Sequence, residues 1–302
     1  MSNVLVIGSS NTDLVIHTPR FPSPGETLLG GTFFTAPGGK GANQAVAAAR
    51  AGACVTFIAR VGLDDFGKQA IANFKTEGIQ TDHIFQDPNL PSGVAFILVD
   101  QKGENSIVVA LGANAALSTG QLESAEAAFK RADICLLQLE TPIETIVYAV
   151  SMAKQHHLPV ILNPAPAAHL PPSLWPDLYL ITPNETETHL LTGIHPGTQA
   201  LAEQAAHIMQ QKGVQNVIIT LGARGALLVT PDQTVLVPAP SVSVVDTTAA
   251  GDAFNGALAC AIGQGKPLDL AVRFACAAGA LTVSKKGAQP ALPLQIEILQ
   301  LI

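Results

Sequence analysis

Val244-Val-Asp-Thr-Thr-Ala-Ala-Gly-Asp-Ala-Phe-Asn-Gly256 is the stretch on which the reading of this chain turns. Val242, Val244 and Val245 are β-branched and read as the end of an apolar strand. Ala249, Ala250 and Gly251 are small enough for backbone to approach a ligand closely. From Ala253 the pattern turns helical, with Phe254, Ala257, Leu258, Ala261 and Ile262 recurring at three and four. A helix start offers unpaired N–H groups and the positive end of a dipole, a ready site for an anion. Asp252 sets a carboxylate in that same place. The stretch alone leaves two readings open. Asp252 complements the dipole, or it strips a hydroxyl proton while the N–H groups hold a transferring phosphoryl group.

Working outward, short apolar runs alternate with helical patterns. Val4–Ile7, 55–61, 134–140, 160–163, 178–182 and 217–221 read as strands, and their unbroken apolar character suits strands covered on both faces. Helices are expected from the glycine turn to Arg50, from the Gly62–Gly67 turn to about Glu77, and over 118–131, 142–156 and 198–212, with another beginning near Glu185. Such alternation predicts an α/β fold: a doubly wound, mostly parallel sheet with helices on both faces, forming one domain over residues 1–302. Two β-rich excursions, at about 14–37 and 91–112, interrupt it, with Thr27–Thr35 reading as extended and 93–100 and 105–110 as a hairpin around Lys102-Gly103. Together they would make a small sheet over the strand ends, a lid that excludes water. Open α/β sheets bind ligands at strand carboxyl ends. Asn11, Asp13, Glu140, Asn163, Asn184 and Thr220 all fall on that expected rim.

Composition narrows the partners. Net charge is −7, and no basic run marks a nucleic-acid surface. No apolar run is long enough to span a membrane, and Met1-Ser-Asn3 enters a strand without the pattern of a signal peptide. Cys54, Cys135, Cys260 and Cys276 have neither zinc-site nor redox-pair spacing; they read as buried small apolar residues in a reducing cytoplasm.

Three further patterns carry alternatives. Gly38-Gly-Lys-Gly-Ala-Asn43 opens an alanine-rich helix and lacks the spacing of a phosphate loop. Its N–H groups and Asn43 could grip a polar ligand such as a sugar, or the turn could only reverse the chain. Asn184 and Glu187 fit a helix cap equally with a nucleotide-bound Mg²⁺ site. Thr220-Leu-Gly-Ala-Arg-Gly225 suits a nucleotide lying against backbone, or a hairpin turn. The Gly-x-Gly-x-x-Gly of a dinucleotide-binding turn is missing after the first strand, which argues against a nicotinamide oxidoreductase.

With Gly38–Asn43 near the start and Asp246-Thr-Thr-Ala-Ala-Gly-Asp252 near the end, the chain resembles the ribokinase family of sugar kinases. Asn11-Thr-Asp13, Gly103-Glu-Asn105, Gly112-Ala-Asn114, Leu139-Glu140, Asn163-Pro-Ala-Pro166 and Lys286-Gly-Ala-Gln-Pro290 extend the resemblance from about residue 4 to the C-terminus. It implies ATP-dependent phosphorylation of D-ribose at its 5-hydroxyl. It further implies sugar contacts from Asn11, Thr12, Asp13, Gly39, Lys40, Gly41, Asn43 and Glu140, with Asp252 as base and the Ala249, Ala250 and Gly251 amides as an anion hole. Asn184, Thr220, Leu221, Gly222, Ala223, Gly225 and Gly251 would meet the nucleotide, Glu187 would serve Mg²⁺, and Cys276 would lie near the adenine. A K⁺ site would draw on Asp246 and Thr248 with Thr282, Lys285, Gly287 and Ala291. Apolar lid strands such as Phe96-Ile-Leu-Val99 could pair two copies into a homodimer. A sister kinase acting on deoxyribose, another sugar or a nucleoside, and a sugar-binding regulatory protein on the same fold, are the competing readings.

Overall fold

The computed structural model describes residues 1–302. Its strands are β1 (Asn3–Ile7), β2 (Asn11–His17), β3 (Thr32–Gly38), β4 (Cys54–Gly62), β5 (Ile84–Asp87), β6 (Gly93–Val99), β7 (Asn105–Ala110), β8 (Ile134–Leu137), β9 (Val160–Leu162), β10 (Leu180–Ile181), β11 (Asn216–Thr220), β12 (Ala226–Val229) and β13 (Thr234–Val237). Its helices are α1 (Lys40–Arg50), α2 (Asp65–Thr76), α3 (Thr119–Ser124), α4 (Glu126–Arg131), α5 (Ile143–Gln155), α6 (Glu185–Thr192), α7 (Gln199–Gln211), α8 (Ala250–Gly263), α9 (Leu268–Val283) and α10 (Gln295–Leu301).

Nine strands form one sheet in the order β13-β12-β11-β10-β9-β8-β1-β4-β5. From β11 to β5 every pairing is parallel, and β12 and β13 join antiparallel at one edge. The pleat divides each central strand between two cores. Val4 and Val6 of β1, with Ile134 and Leu136 of β8, pack under α1, α8 and α9. Leu5, Ile7 and Leu137 point the other way, under α5 and α7. Strands buried on both faces need apolar residues at consecutive positions, which is why these segments read as unbroken runs.

A second sheet, ordered β3-β2-β6-β7, stands apart. Its outer pairings are antiparallel, and β2 runs parallel to β6. Phe33, Phe34, Phe96, Ile107, Val108 and Val109 are exposed on it. This is the small sheet expected from the two excursions, with strand limits at 11–38 and 93–110 rather than 14–37 and 91–112.

Several boundaries differ from expectation. Val242–Val245 form no strand; Val244 is 65 % and Val245 53 % exposed. β-branched residues favour extended backbone, but no neighbouring strand supplies a ladder here, and the Val245 N–H goes to the Val283 carbonyl at the end of α9. Asn11 and Asp13 do not end β1 but begin β2, because the chain runs from the rim straight into the second sheet. Extended structure expected at 27–35 starts only at Thr32, after Gly30 and Gly31 at positive φ. The helix expected over 118–131 breaks at Ala125. β12 and β13 pair antiparallel outside the segments whose pattern reads as strands. Cys54 is exposed, against the expectation that all four cysteines are buried.

The close approach of α1 and α8 sets the positions of everything at the rim. A Cβ on Gly256 would lie 2.5 Å from Ala47 Cβ and 2.6 Å from the Gln44 carbonyl oxygen. Gly120, in α3, has open space around it. Gly256→Ala should therefore overpack the crossing and cost about 1–3 kcal/mol. Gly120→Ala should be neutral or gain up to about 1 kcal/mol by restricting the unfolded chain. Melting temperatures of the two variants check this; equal shifts would show that the crossing is looser than described.

Candidate active site

The carboxyl ends of β1, β8, β9, β10 and β11 and the starts of α1, α6 and α8 meet along one rim. Gly39, at φ +91°, turns the chain from β3 into α1; a Cβ there would stand 2.7 Å from the Asn11 backbone nitrogen. A side chain is excluded both by the positive φ and by the space. Gly41 seats the helix on the exit from β1, where a Cβ would lie 2.5 Å from the Ser9 nitrogen.

Glu140, just after β8, fastens this corner. Its Oε2 accepts from the Lys40 N–H at 2.9 Å and from Ser9 Oγ at 2.5 Å. A carboxylate at the first turn of α1 is also favoured by the helix dipole. Asp252 lies opposite, 7 % exposed, in the first turn of α8. Asn43 Nδ2 donates to its Oδ2 at 2.9 Å, and Gln44 Nε2 donates to its Oδ1 at 3.0 Å. Asn43 is itself oriented by Gln289 Nε2, 3.2 Å from its Oδ1. The structure thus gives Asn43 a bond to Asp252 where the resemblance implied a sugar contact.

The electrostatics are those of a crowded acidic site around one cation. Burial raises the Asp252 pKa, opposed by Lys40, Asn43 and Gln44 and reinforced by Glu140. Burial, then Glu140 and Asp252, lifts Asp13 to about 6. Glu187 is lifted to about 7 by burial, against the Asn184 N–H and Lys40. Burial disfavours the charge on Lys40, but Asp252, Glu140 and Glu187 outweigh it and hold the ammonium above its ordinary value. Asp13 packs on Gly38, where a Cβ would meet its carboxylate at 2.2 Å.

The turn before α8 is strained. Ala249 adopts the left-handed region (φ 59°, ψ 11°) without being glycine, and no side chain caps the helix. Such a residue costs about 1–2 kcal/mol. An αL residue followed by helical ones points successive N–H groups into a concavity suited to an anion. The space outside Gly251 is open, with no atom within 4 Å of a Cβ position. Ala250 differs from the expectation: its N–H turns back to the Thr247 carbonyl at 3.3 Å.

Asn184 and Glu187 form a reciprocal cap on α6. Glu187 N donates to Asn184 Oδ1, and the Asn184 backbone N–H donates to Glu187 Oε2, both at 2.8 Å. Capping is therefore present, yet Glu187 is only 5 % exposed and lies within the field of Lys40 and Asp252. Arg224 Nη2 reaches Glu185 at 2.5 Å and ties the 221–225 turn to α6. In that turn Gly222, at φ +56°, faces open space. Gly225 is demanded by packing, since a Cβ would lie 2.0 Å from the Val237 carbonyl oxygen. Cys276 belongs to the core beneath α9, its thiol pushed up to about 12 by burial. Asp246 and the 282–291 segment do meet: Asp246 Oδ1 accepts from the Thr248 N–H and hydroxyl, and Oδ2 accepts from the Gly287 N–H at 2.9 Å. Within that segment Thr282 is fully buried, with its hydroxyl on the Ala278 carbonyl, Lys285 pairs with Glu297, and Ala291 is buried.

Residues 1–295 match the pfkB family of carbohydrate kinases. The chain belongs to that family. Among pfkB relatives, the ribokinase of Haemophilus influenzae is 45 % identical over 297 residues, covering 98 % of this chain and 97 % of that protein. The deoxyribokinase of Salmonella typhi is 40 % identical, covering 96 % and 95 %. The structure of Arabidopsis thaliana ribokinase complexed with ribose and ATP superposes with a TM-score of 0.93 at 33 % identity, covering 99 % of this chain and 98 % of that one. No helix of this family member is long and apolar enough to cross a membrane.

Gln44, Gln138, Thr182 and Asn255 join the site although the sequence does not single them out. Their only mark in the sequence is that polar side chains interrupt otherwise apolar segments.

Asp13 gives a pH-dependent stability. Below its ordinary value of 3.8 both folded and unfolded chains keep the proton and Asp13 has no net effect. Between about 4 and 6 only the unfolded chain ionises, so stability falls as pH rises, and the penalty is complete above about 6. Asp13→Asn should thus stabilise the ligand-free protein by on the order of 2 kcal/mol at pH 7 and scarcely at pH 4. Thermal melts of both proteins across this range check the sign; a gap that shrinks as pH rises would contradict it.

Proposed function

We propose that the chain transfers a phosphoryl group from ATP to the 5-hydroxyl of D-ribose, with Asp252 as the base. One observation carries the reading: a carboxylate withdrawn from water, held through both oxygens, at an uncapped helix start whose flank at Gly251 is open. Phosphoryl transfer needs positioning and charge compensation more than covalent chemistry. Asp252 would take the hydroxyl proton, and the N–H groups around Gly251 would stabilise the charge on the transferring group.

Asp13, Asn11, Thr12 and the Gly39–Gly41 turn would hold the sugar, and Glu140 has Oε1 left for a hydroxyl once Oε2 is used. Asn184 and the Thr220–Gly225 turn would take the nucleotide, with Leu221, Ala223 and Gly222 presenting backbone. Cys276 could offer the adenine only a sliver of surface at 6 % exposure. Glu187 would serve Mg²⁺ through water: both its oxygens accept from Asn184, and it is a buried acid in a site with more acid than base. When bound, Mg²⁺ would offset charge on the phosphate oxygens.

Asp246 with Thr248, and the segment through Thr282, Lys285, Gly287 and Ala291, would hold K⁺. Hydrogen bonds from Thr248 and Gly287, with Lys286 nearby, outweigh burial and keep Asp246 ionised. The Lys285 and Gly287 carbonyls lie outside helix and sheet, which leaves them available as oxygen ligands for a hard cation. When bound, K⁺ would order the turn that aims the Gly251 N–H.

Residues 1–302 read as one domain with the small sheet as an inserted lid. A second copy of the chain would cover the lid's exposed Phe96, Ile107 and Val108, a homodimer that analytical ultracentrifugation decides. Free thiols agree with a reducing cytoplasm.

Deoxyribose is the second reading, favoured by the 40 % identity to a deoxyribokinase. Asp13 in a polar pocket argues for the more hydroxylated sugar, since unpaired polar groups reject the analogue.

ADP release measured over D-ribose, deoxyribose, hexoses and nucleosides tests the substrate. D-ribose should give the highest kcat/KM, and a preference for any other class would displace it. Asp252→Asn should fold, bind ribose and lose about 10²–10⁴-fold in turnover; activity within a few-fold of the parent would sink the base assignment. Replacing K⁺ by Na⁺ or a bulky organic cation at constant ionic strength should lower the initial rate. Equal rates in all three salts would remove the cation from the scheme.

A further inference from the structure

A closed ring of hydrogen bonds runs behind Asp252. Gln44 Nε2 donates both to Asp252 Oδ1 and to Asn163 Oδ1, each at 3.0 Å. Asn163 Nδ2 donates to the Thr182 carbonyl at 3.1 Å. Thr182 Oγ1 donates to Asn255 Oδ1 at 2.6 Å, and Asn255 Nδ2 donates to the Gly251 carbonyl at 2.8 Å. Gly251 precedes Asp252 in the chain, so the ring closes on the residue where it began. The orientation of Gln44 is forced, because a nitrogen facing two acceptors must be the amide NH₂. Its Oε1 is accordingly free to accept, and Gln138 Nε2 donates to it at 2.6 Å.

Gln44, Asn163, Thr182 and Asn255 are all buried. They come from α1 and α8 and from the ends of β9 and β10, so no single element fixes the ring. A buried polar network whose members satisfy one another holds a single geometry.

We propose that Gln44 is a positioning residue for the phosphoryl transfer: its amide fixes Asp252 Oδ1 and, through Asn163, Thr182 and Asn255, ties the carboxylate to the first turn of α8. Base and backbone donors then keep one relative geometry. The proposal rests on the reading of Asp252 as the base. Asp252 faces Lys40 from α1, Glu140 from the segment after β8, Asp13 from β2 and Glu187 from α6. Among these only Lys40 favours the ionised form, and the other support comes from Asn43 and Gln44. Removing the Gln44 donor therefore makes Asp252 take up its proton at higher pH and frees Oδ1 to rotate. A role confined to packing would lower stability and leave the pH dependence alone.

Gln44→Met fills nearly the same space and cannot donate. With purified protein whose melting temperature shows it folded, kcat should fall about 10–100-fold, as for a small misplacement of a reacting group, while KM for ribose stays within about threefold. The acid limb of kcat at saturating ribose and nucleotide, which reports the base in the loaded enzyme with Asp13 and Glu187 already engaged, should move up by about one pH unit. Thr182→Val opens the ring on its far side without touching Asp252, and should move the limb the same way by less. An unshifted limb in folded Gln44→Met overturns the proposal; if that variant does not fold, an unshifted limb in Thr182→Val overturns it. Asp252→Asn, run alongside, separates the two levels. If it is inactive while the Gln44 and Thr182 variants keep the parental profile, the base reading stands and the positioning role falls. If it remains active, the base reading falls and takes the proposal with it.

Discussion

One carboxylate withdrawn from water constrains the rest of this molecule. Asp252 can sit at the start of α8 only because α1 lies close enough for Asn43 and Gln44 to reach it. That closeness requires Gly256 in α8, opposite Ala47 and the Gln44 carbonyl, and Gly41 in α1, against the exit from β1. The alanine-rich face of α1 follows from the same demand. Large side chains between the helices would separate them and leave a buried charge without donors, a cost of several kcal/mol.

Around that carboxylate the chain gathers more acid than it can comfortably ionise. Asp13 and Glu187 are held well above their ordinary values, with Lys40 alone as counter-charge among them. Ala249 adds backbone strain at the same place. These terms oppose folding of the empty protein. A sugar that hydrogen-bonds the acids, and a nucleotide with its cation, would relieve part of that burden, so stability and occupancy are linked here.

Legibility in the sequence followed the physics of each element. Val4–Ile7 and Val217–Ile219 were readable because strands covered on both faces must be apolar at every position. Val242–Val245 misled, because β-branching reports preference for extended backbone and carries no information on whether a partner strand exists. Asn11 and Asp13 were seen as ligand-facing but assigned to the wrong element, since nothing local marks where one sheet stops and the next starts. Gly225 is legible as a special position, and the Val237 carbonyl of β13 is one physical reason that no side chain fits there. Gln44, Thr182 and Asn255 are marked only as polar side chains among apolar ones, which does not say what they join; the ring exists only once α1, α8 and the ends of two strands have been brought together.

The roots of the small sheet are short. Three residues, Gly8-Ser-Ser10, separate β1 from β2, and Gly39 alone separates β3 from α1. Asn11–Asp13 and the first turn of α1 are thus the attachment points of the small sheet as well as residues of the rim. In mechanical terms the small sheet is a cantilever without a free pivot at these two roots: a rotation there would turn the very peptide groups that line the rim. A joint this short would transmit in both directions, so the tilt of the small sheet and the shape of the rim would vary as one coordinate rather than two.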